Sequence, residues 1–308
     1  MLKLAFPDSC GSQVYYSCYF PGTRWIKYRA YEVFILQLPA GATDKLVVST
    51  RTRSGGVRYV QVLWRLPLLI LHMLIGLPLA LLSFSSAGKS IQVGATSLNE
   101  WMIRWWSRWV CRTFGVRIRP GSTLPAPPML IVANHSSWLD ILVLSSLGHL
   151  HFVSKAEIAG WPLIGTVAKV AGVIFHSRGS SDSLTDAADA VKKALQSGGY
   201  AAIFPEGGVN DAFSVNRFHA RLFKAAIESG SPVQPVCIRY TRHGAINVET
   251  SFRGQESTSH NMLRLLIAPG CEAVLSILPV VLPGGKSRRQ IAEEAQALVS
   301  DEYGSDCD

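Results

Sequence analysis

From about residue 120 onward short apolar runs alternate with helix-like stretches, and this rhythm narrows the possible folds more than any other property of the chain. The runs fall at 129 to 133, 151 to 154, 171 to 176, 200 to 204, 233 to 240 and 273 to 281, and the helical stretches lie near 138 to 148, 183 to 197 and 218 to 229. Runs so short and apolar suit strands covered on both faces. The alternation therefore predicts an α/β domain over 120–308, with a mixed, largely buried sheet flanked by helices. In open sheets of this kind ligands gather beyond the carboxyl ends of the strands, so the strand ends are where chemistry is expected.

The part before residue 120 has a different character. The chain is 48% hydrophobic with a mean hydropathy of +0.21, high for a soluble protein. Its +9 net charge is unevenly spread: residues 1–120 carry 15 Lys and Arg against 4 Asp and Glu, residues 121–308 carry 15 against 17. Leu66 to Phe84 is a 19-residue stretch without a formal charge, broken by Pro67, His72, Gly76 and Pro78. A straight span, a kinked span and a hairpin in one leaflet all fit, since about 20 apolar residues cross a bilayer. The cations on both flanks make shallow insertion from the cytoplasmic side the preferred reading. Trp101, Trp105 and Trp109 then repeat at helical spacing beside Arg104, Arg108 and Arg112. Such stripes suit a headgroup layer, and equally a helix packed on the domain with its arginines in water. Residues 59–119 are thus expected to form an N-terminal membrane-associating helical segment. Residues 1–58 form a basic extension without clear periodicity, to which no function is assigned.

Three strand ends carry suggestive residues. The first is Asn134-His135-Ser136-Ser137-Trp138-Leu139-Asp140, where the run 129–133 gives way to a helical pattern. On one regular helix a five-residue separation leaves two side chains roughly 140° apart. His135 and Asp140 can meet if the histidine precedes the helix and the carboxylate reaches back. The aspartate would then fix the imidazole tautomer and leave the other nitrogen free as a general base. Ser137-x-x-Asp140 also fits a helix capping box, in which Asp140 needs no chemistry.

The second is Gly172-Val173-Ile174-Phe175-His176-Ser177-Arg178, which brings an arginine to a strand end, either as a phosphate-binding fork or as a surface ion pair. The third is Phe204-Pro205-Glu206-Gly207-Gly208, a turn whose glycines permit close backbone approach and whose glutamate can accept from a hydroxyl. Pro232 and Pro235 bracket a fourth segment, expected at a strand start or edge.

In this order the four segments resemble the four blocks of the glycerolipid acyltransferases typified by 1-acylglycerol-3-phosphate acyltransferase, over roughly residues 98 to 245. The resemblance implies His135 as general base and Asp140 as its orienting partner. Asn134, Gly172, Phe175, Arg178, Glu206, Gly207 and Arg217 are expected around the acceptor. It further implies a thioester donor, acyl-CoA or acyl carrier protein, a lysolipid acceptor in the membrane, and neither metal nor redox cofactor. A bacterial inner membrane with the domain on its cytoplasmic face is the expected location. The chain departs from the family at one point. The common third block runs Glu-Gly-Thr-Arg, but here Gly208 and Val209 follow Glu206-Gly207. Arg217 or Lys224 would have to supply the missing cation, or the acceptor lacks glycerol phosphate. The first expected activity makes phosphatidate from 1-acyl-sn-glycerol-3-phosphate; the alternative acylates lyso-ornithine lipid or another lysolipid. Backbone donors near Gly207 or the His135 turn are expected to stabilise the oxyanion.

Other classes find little footing. No Gly-x-Ser-x-Gly elbow occurs, Gly88-Lys89-Ser90 lacks the first glycine of a phosphate loop, and His149-x-His151 has no local carboxylate or cysteine. The six cysteines lack metal-like or framework spacing, and the basic excess belongs with a membrane, not nucleic acid. A non-catalytic lipid-binding protein on the same fold is the remaining rival.

Overall fold

The computed structural model describes residues 15–18, 26–29, 55–119, 123–161, 164–177, 181–210, 212–253 and 256–305. Within residues 1–58 two strands, β1 (Tyr15–Cys18) and β2 (Ile26–Arg29), pair antiparallel. Residues 59–308 make up the second compact unit.

The uncharged stretch is helical throughout. α1 (Gly55–Leu71) passes through a π turn (His72–Gly76) into α2 (Leu77–Ser83). The π turn closes with the Leu77 N–H on the His72 carbonyl, immediately before Pro78, whose ring and missing N–H oppose a regular turn. The helix Val60–Ser83 is 24 residues long with a hydropathy of 2.2, and only 28% of its apolar window is buried. Leu63, Leu74 and Leu82 are 76, 71 and 67% exposed. α3 (Ser86–Ser90) and the short pair β3 (Gln92–Val93) and β4 (Thr96–Ser97) then lead into α4 (Leu98–Thr113).

α4 returns antiparallel along the apolar helix. The Arg65 guanidinium lies against Gly115, the His72 ring against Trp105, and Gly76 against Trp106, where even one added methyl would come within 3.1 Å of the indole. Arg65 faces the protein, 3% exposed, and donates through one nitrogen to the carbonyls of Leu265, Leu266 and Ala268. The apolar helix is thereby tied to the domain on one side while its other side stays uncovered. Trp101, Trp105 and Trp109 remain partly exposed on α4. The arginines beside them are not uniformly turned outward: Arg104 pairs with Glu100, Arg108 donates to the Ser146 carbonyl, and Arg112 lies over the Trp109 ring.

The sheet follows. Its elements in chain order are β5 (Val116–Ile118), β6 (Met129–Ala133), α5 (Leu139–Ser145), β7 (Leu150–Lys155), α6 (Ile164–Val170), β8 (Ile174–His176), α7 (Ser181–Gln196) and β9 (Tyr200–Ile203). Then come α8 (Lys224–Ser229), β10 (Val233–Arg242), β11 (Ala245–Ile246), α9 (Thr258–Ile267), β12 (Cys271–Ile277) and α10 (Arg288–Gly304). The spatial order is β5-β12-β10-β6-β9-β7-β8, with β11 pairing β10. From β10 to β8 neighbours are parallel; β12 joins β10 antiparallel and β5 runs parallel to β12. The sheet is mixed and flanked by helices, as the alternation predicts.

Strand geometry divides the core in two. Met129, Ile131 and Ala133 of β6 join Val110 of α4, Val143 of α5 and Leu265 of α9 on one face. Leu130 and Val132 join Leu195 of α7, Ala225 of α8 and Ile291 of α10 on the other. All five β6 residues are buried, which explains an unbroken apolar run in place of an alternating one. Each such fully buried Leu or Ile contributes roughly 1.5–3 kcal/mol over an exposed one.

Two expectations are corrected and a third is refined. A boundary at 119/120 cuts through the domain, because β5 at 116–118 is an edge strand of the sheet. The run 171–176 is a strand only from Ile174, since Gly172 turns at φ +74° with an added Cβ only 2.6 Å from the His151 ring. The Pro232–Pro235 segment does start a strand, but that strand is central. Pro235 pairs with Val132 on one side and precedes the β12 register, which opens at Val236, so its missing N–H interrupts no β12 rung.

Candidate active site

β6 and β9 are adjacent and parallel, so their carboxyl ends deliver the His135 turn and the Glu206 turn side by side. His135 leaves β6 two residues beyond Ala133, ahead of α5, and Asp140 lies in the first turn of α5. The histidine Nδ1 stands 2.9 Å from Asp140 Oδ2. The same oxygen accepts the backbone N–H groups of Ser136 and Ser137 at 2.8 and 2.9 Å, and Oδ1 accepts the Tyr240 hydroxyl at 2.6 Å. Asp140 is fully buried, and a carboxylate so placed is an acceptor only. Nδ1 is then the donor, and in the neutral imidazole Nε2 is the nitrogen that can accept a proton. The side chain of His135 keeps 14% exposure, and its ring stacks on Phe204 with centroids 4.0 Å apart.

The capping reading holds in half. Asp140 accepts from the Ser137 N–H, as the third residue of a capping box does. The Ser137 hydroxyl, however, accepts from the Leu139 N–H at 3.3 Å and not from that of Asp140, and it donates to the Thr250 carbonyl at 2.9 Å. A second brace comes from Trp138, whose indole N–H donates to Asn261 of α9. Asn261 is fully buried and its amide nitrogen reaches Glu256, which is also bonded by Arg264. That guanidinium, with Asn261, holds the Glu256 carboxyl down at about 2.

Glu206 grips the histidine from the β9 side. Its Oε1 accepts the His135 N–H at 2.8 Å, and Oε2 accepts from the Asn210 amide at 2.7 Å and the Asn216 N–H at 3.0 Å. The Asn210 N–H in turn donates to the His135 carbonyl. Among the described residues no lysine or arginine pairs with Glu206, and burial pushes its carboxyl above the ordinary range despite these donors. Expected as an acceptor-binding residue, Glu206 is 9% exposed and bonded at both oxygens.

Asn134 likewise turns inward. It is 1% exposed, and its amide exchanges two hydrogen bonds with the Ile238 backbone, extending the ladder between β6 and β10 past the end of β6. Gly207 is a φ +76° turn residue whose N–H donates to the Phe204 carbonyl. The backbone donors expected at an oxyanion site are accordingly engaged: those of residues 135, 136 and 137 on carboxylates, that of Gly207 on Phe204. Arg217 is exposed, one residue beyond Asn216, while Lys224 pairs with Glu228.

The second block stands apart. Phe175 is half-buried on β8, three strands from β6 in the sheet order, which is about 14 Å at ordinary strand spacing. Gly172 packs on His151 and accepts its ring N–H. Arg178 lies outside the described residues. Tyr240, Asn210 and Phe204 were not singled out by sequence. A tyrosine at the end of the buried run Val236-Cys237-Ile238-Arg239 was the available signal, since its hydroxyl needs a partner there.

An apolar cavity of about 120 Å³ lies between α2, α4, α5 and β7, lined by Leu77, Phe84, Trp106, Leu142 and Phe152 among others. Phe152 stacks on Phe204 at 6.2 Å, and Phe204 on His135, so one aromatic stack links the cavity wall to the dyad. Among the described residues no group of three or more His, Cys, Asp or Glu is placed to hold a metal ion.

Comparison with known proteins agrees with the fold. The family model described as Acyltransferase matches residues 115–239, from β5 into β10. The lyso-ornithine lipid O-acyltransferase of Pseudomonas aeruginosa is 37% identical over 204 residues, 66% of this chain and 79% of that one. The 1-acyl-sn-glycerol-3-phosphate acyltransferase of Neisseria meningitidis serogroup B is 34% identical over 135 residues, 43% of this chain and 53% of that one. The crystal structure of the 1-acyl-sn-glycerophosphate acyltransferase PlsC from Thermotoga maritima superposes with a TM-score of 0.52 over 81% of this chain and 97% of that one, at 19% identity, and so shares the fold. With its mixed sheet, its strand-end histidine and these relatives, the chain belongs to the acyltransferase family and is an acyltransferase.

Proposed function

We propose that the protein moves a fatty acyl group from a thioester, acyl-CoA or acyl carrier protein, to the free hydroxyl of a lysolipid, with His135 as general base and Asp140 orienting it. The observation that carries this reading is the 2.9 Å contact of His135 Nδ1 with the buried, fully bonded Asp140 carboxylate, which turns Nε2 to the accepting role. As the lysolipid oxygen attacks the thioester carbon, Nε2 takes its proton. The tetrahedral adduct then expels the thiolate, which recovers that proton from the imidazolium. General-base assistance of this kind is worth about 10² to 10⁴ in rate. No serine acyl-enzyme is required.

For the acceptor we favour a lysolipid without glycerol phosphate, lyso-ornithine lipid first. Val209 follows Gly208 where the family's arginine is expected, and Asn210 meets the Glu206 carboxylate with an amide instead of a guanidinium. The Pseudomonas relative of that name is also spanned more completely than the Neisseria one. The reading with 1-acyl-sn-glycerol-3-phosphate keeps its footing in that second relative. Arg178 and Arg217 remain our candidates for the acceptor's headgroup. The exposed apolar side of Val60–Ser83 and the tryptophans of α4 suit a shallow seat in a membrane, on the cytoplasmic side of a bacterial inner membrane where thioesters are made.

The test offers purified protein in vesicles a panel of lysolipids with acyl-CoA and with acyl carrier protein thioester, and identifies products by mass. Acylated ornithine lipid with little phosphatidate is expected. Phosphatidate alone would reverse the acceptor assignment, and no product from any pair would mean that the acceptor or the donor is of another class.

A further inference from the structure

One of the four bonds on Asp140 comes from outside every segment that marks the His135 turn. Oδ2 takes the His135 ring and the Ser136 and Ser137 N–H groups, whereas Oδ1 takes the hydroxyl of Tyr240, 100 residues later in the chain. At 2.6 Å between two groups 0 and 2% exposed, this is a short hydrogen bond to a charged acceptor in a dry setting. The acceptor-only carboxylate obliges the phenol to donate.

We propose that Tyr240 is a positioning residue for acyl transfer: its hydroxyl fixes the plane of Asp140 and draws charge from it, thereby setting how tightly the dyad holds a proton. Three donors on Oδ2 leave the carboxylate a pivot, and a fourth on Oδ1 removes it. The electrostatic effect has a definite sign. A donor stabilises the carboxylate anion, so less negative charge faces the imidazolium and His135 gives up its proton at lower pH. Without the phenol, Asp140 holds the imidazolium more strongly, and the base form appears only at higher pH.

The neighbouring groups do not compete for this role. Cys111 from α4 and Cys271 from β12 face the pair, and burial pushes both thiols up, Cys271 to about 11. Both stay neutral over any working range. Arg65 from α1 and Arg242 act on Cys271, and Glu206 faces His135 from the β9 turn. All remain in place when Tyr240 is changed. Burial first, then the charge of Asp140, drives the Tyr240 hydroxyl well above its ordinary value, so it remains a donor.

This inference rests on His135 acting as base, and the experiment separates the two. Full-length enzyme in vesicles is compared with Tyr240→Phe, with 3,5-difluorotyrosine placed at position 240, and with His135→Ala, reading kcat/KM against pH. Tyr240→Phe should move the acid limb up by about 0.5 to 1 unit, with both KM values changed less than about twofold. The fluorinated residue keeps the shape but donates more strongly, and should move the limb down. It carries the test alone if the phenylalanine variant does not fold. Coincident acid limbs with His135→Ala inactive would overturn the role of Tyr240 and leave the base in place. An active His135→Ala would overturn both.

Discussion

Around His135 both carboxylates and the backbone N–H groups of residues 135–137 are bonded within the protein, whereas along Val60–Ser83 apolar side chains stand in the open. Asp140 is fully buried under four donors, while Leu63, Leu74 and Leu82 are each at least two-thirds exposed. Each arrangement would be costly in the other's place. A buried carboxylate without donors loses several kcal/mol, and exposed leucines forgo burial unless something apolar covers them. The contrast divides the labour: one region holds a few atoms within tenths of an ångström, the other offers a surface that needs only to be greasy. Arg65 joins them, binding the apolar helix to the carbonyls of Leu265, Leu266 and Ala268, near the helix whose Asn261 braces Trp138.

Perturbing each region tests whether the division holds. His135→Ala is expected to cut acyl transfer by about 10² to 10⁴ with helical content and vesicle binding unchanged. Transfer close to wild type in the purified variant would remove His135 from the chemistry. On the other region, Leu74→Glu with Leu82→Glu puts two charges on the exposed face. Vesicle co-sedimentation should weaken by about 100-fold or more, given roughly 2.5–3.5 kcal/mol for a charge at full membrane depth and less near the interface. Normal sedimentation would show that this face is not the membrane contact.

Smaller effects sharpen the comparison inside the site. Glu206→Gln turns an acceptor oxygen into an NH₂ facing the donors of Asn210, Asn216 or His135. We expect kcat to fall roughly tenfold, a 1.4 kcal/mol effect, with the acceptor KM little changed. A pure rise in acceptor KM would return Glu206 to substrate binding. The smallest effect concerns the brace behind Trp138. Glu256 is held at about 2, well below its ordinary value of 4.5, so its contribution is present above pH 4.5 and fades as pH falls towards 2. Glu256→Gln should lower Tm at pH 7 by a few degrees, roughly 2–4 °C per kcal/mol in a domain of this size. The gap from wild type should narrow below pH 4.5; a gap constant with pH would mean that the charge is not what stabilises.

Much of this was legible in the sequence because it is local. The run Met129–Ala133 is apolar throughout since both faces of β6 are covered, and His135 and Asp140 lie five residues apart across a strand-to-helix turn. β5 was missed because three residues, Val116-Arg117-Ile118, are too few to show a period at a sheet edge. The second block was expected at the site because the strand ends were expected to converge. The sheet order instead puts β8 at the far edge.

The alternation of strands and helices, the greasy helix and the turn that carries the histidine are all written locally, since each depends on spacings of a few residues. Which partners saturate that turn is a matter of how the chain packs. Tyr240, Glu206, Asn210 and Asn261 reach it from 71 to 123 residues away along the chain. Hydrogen bonds care about ångströms between atoms, and residues so distant become neighbours only when β6, β9 and β10 lie side by side.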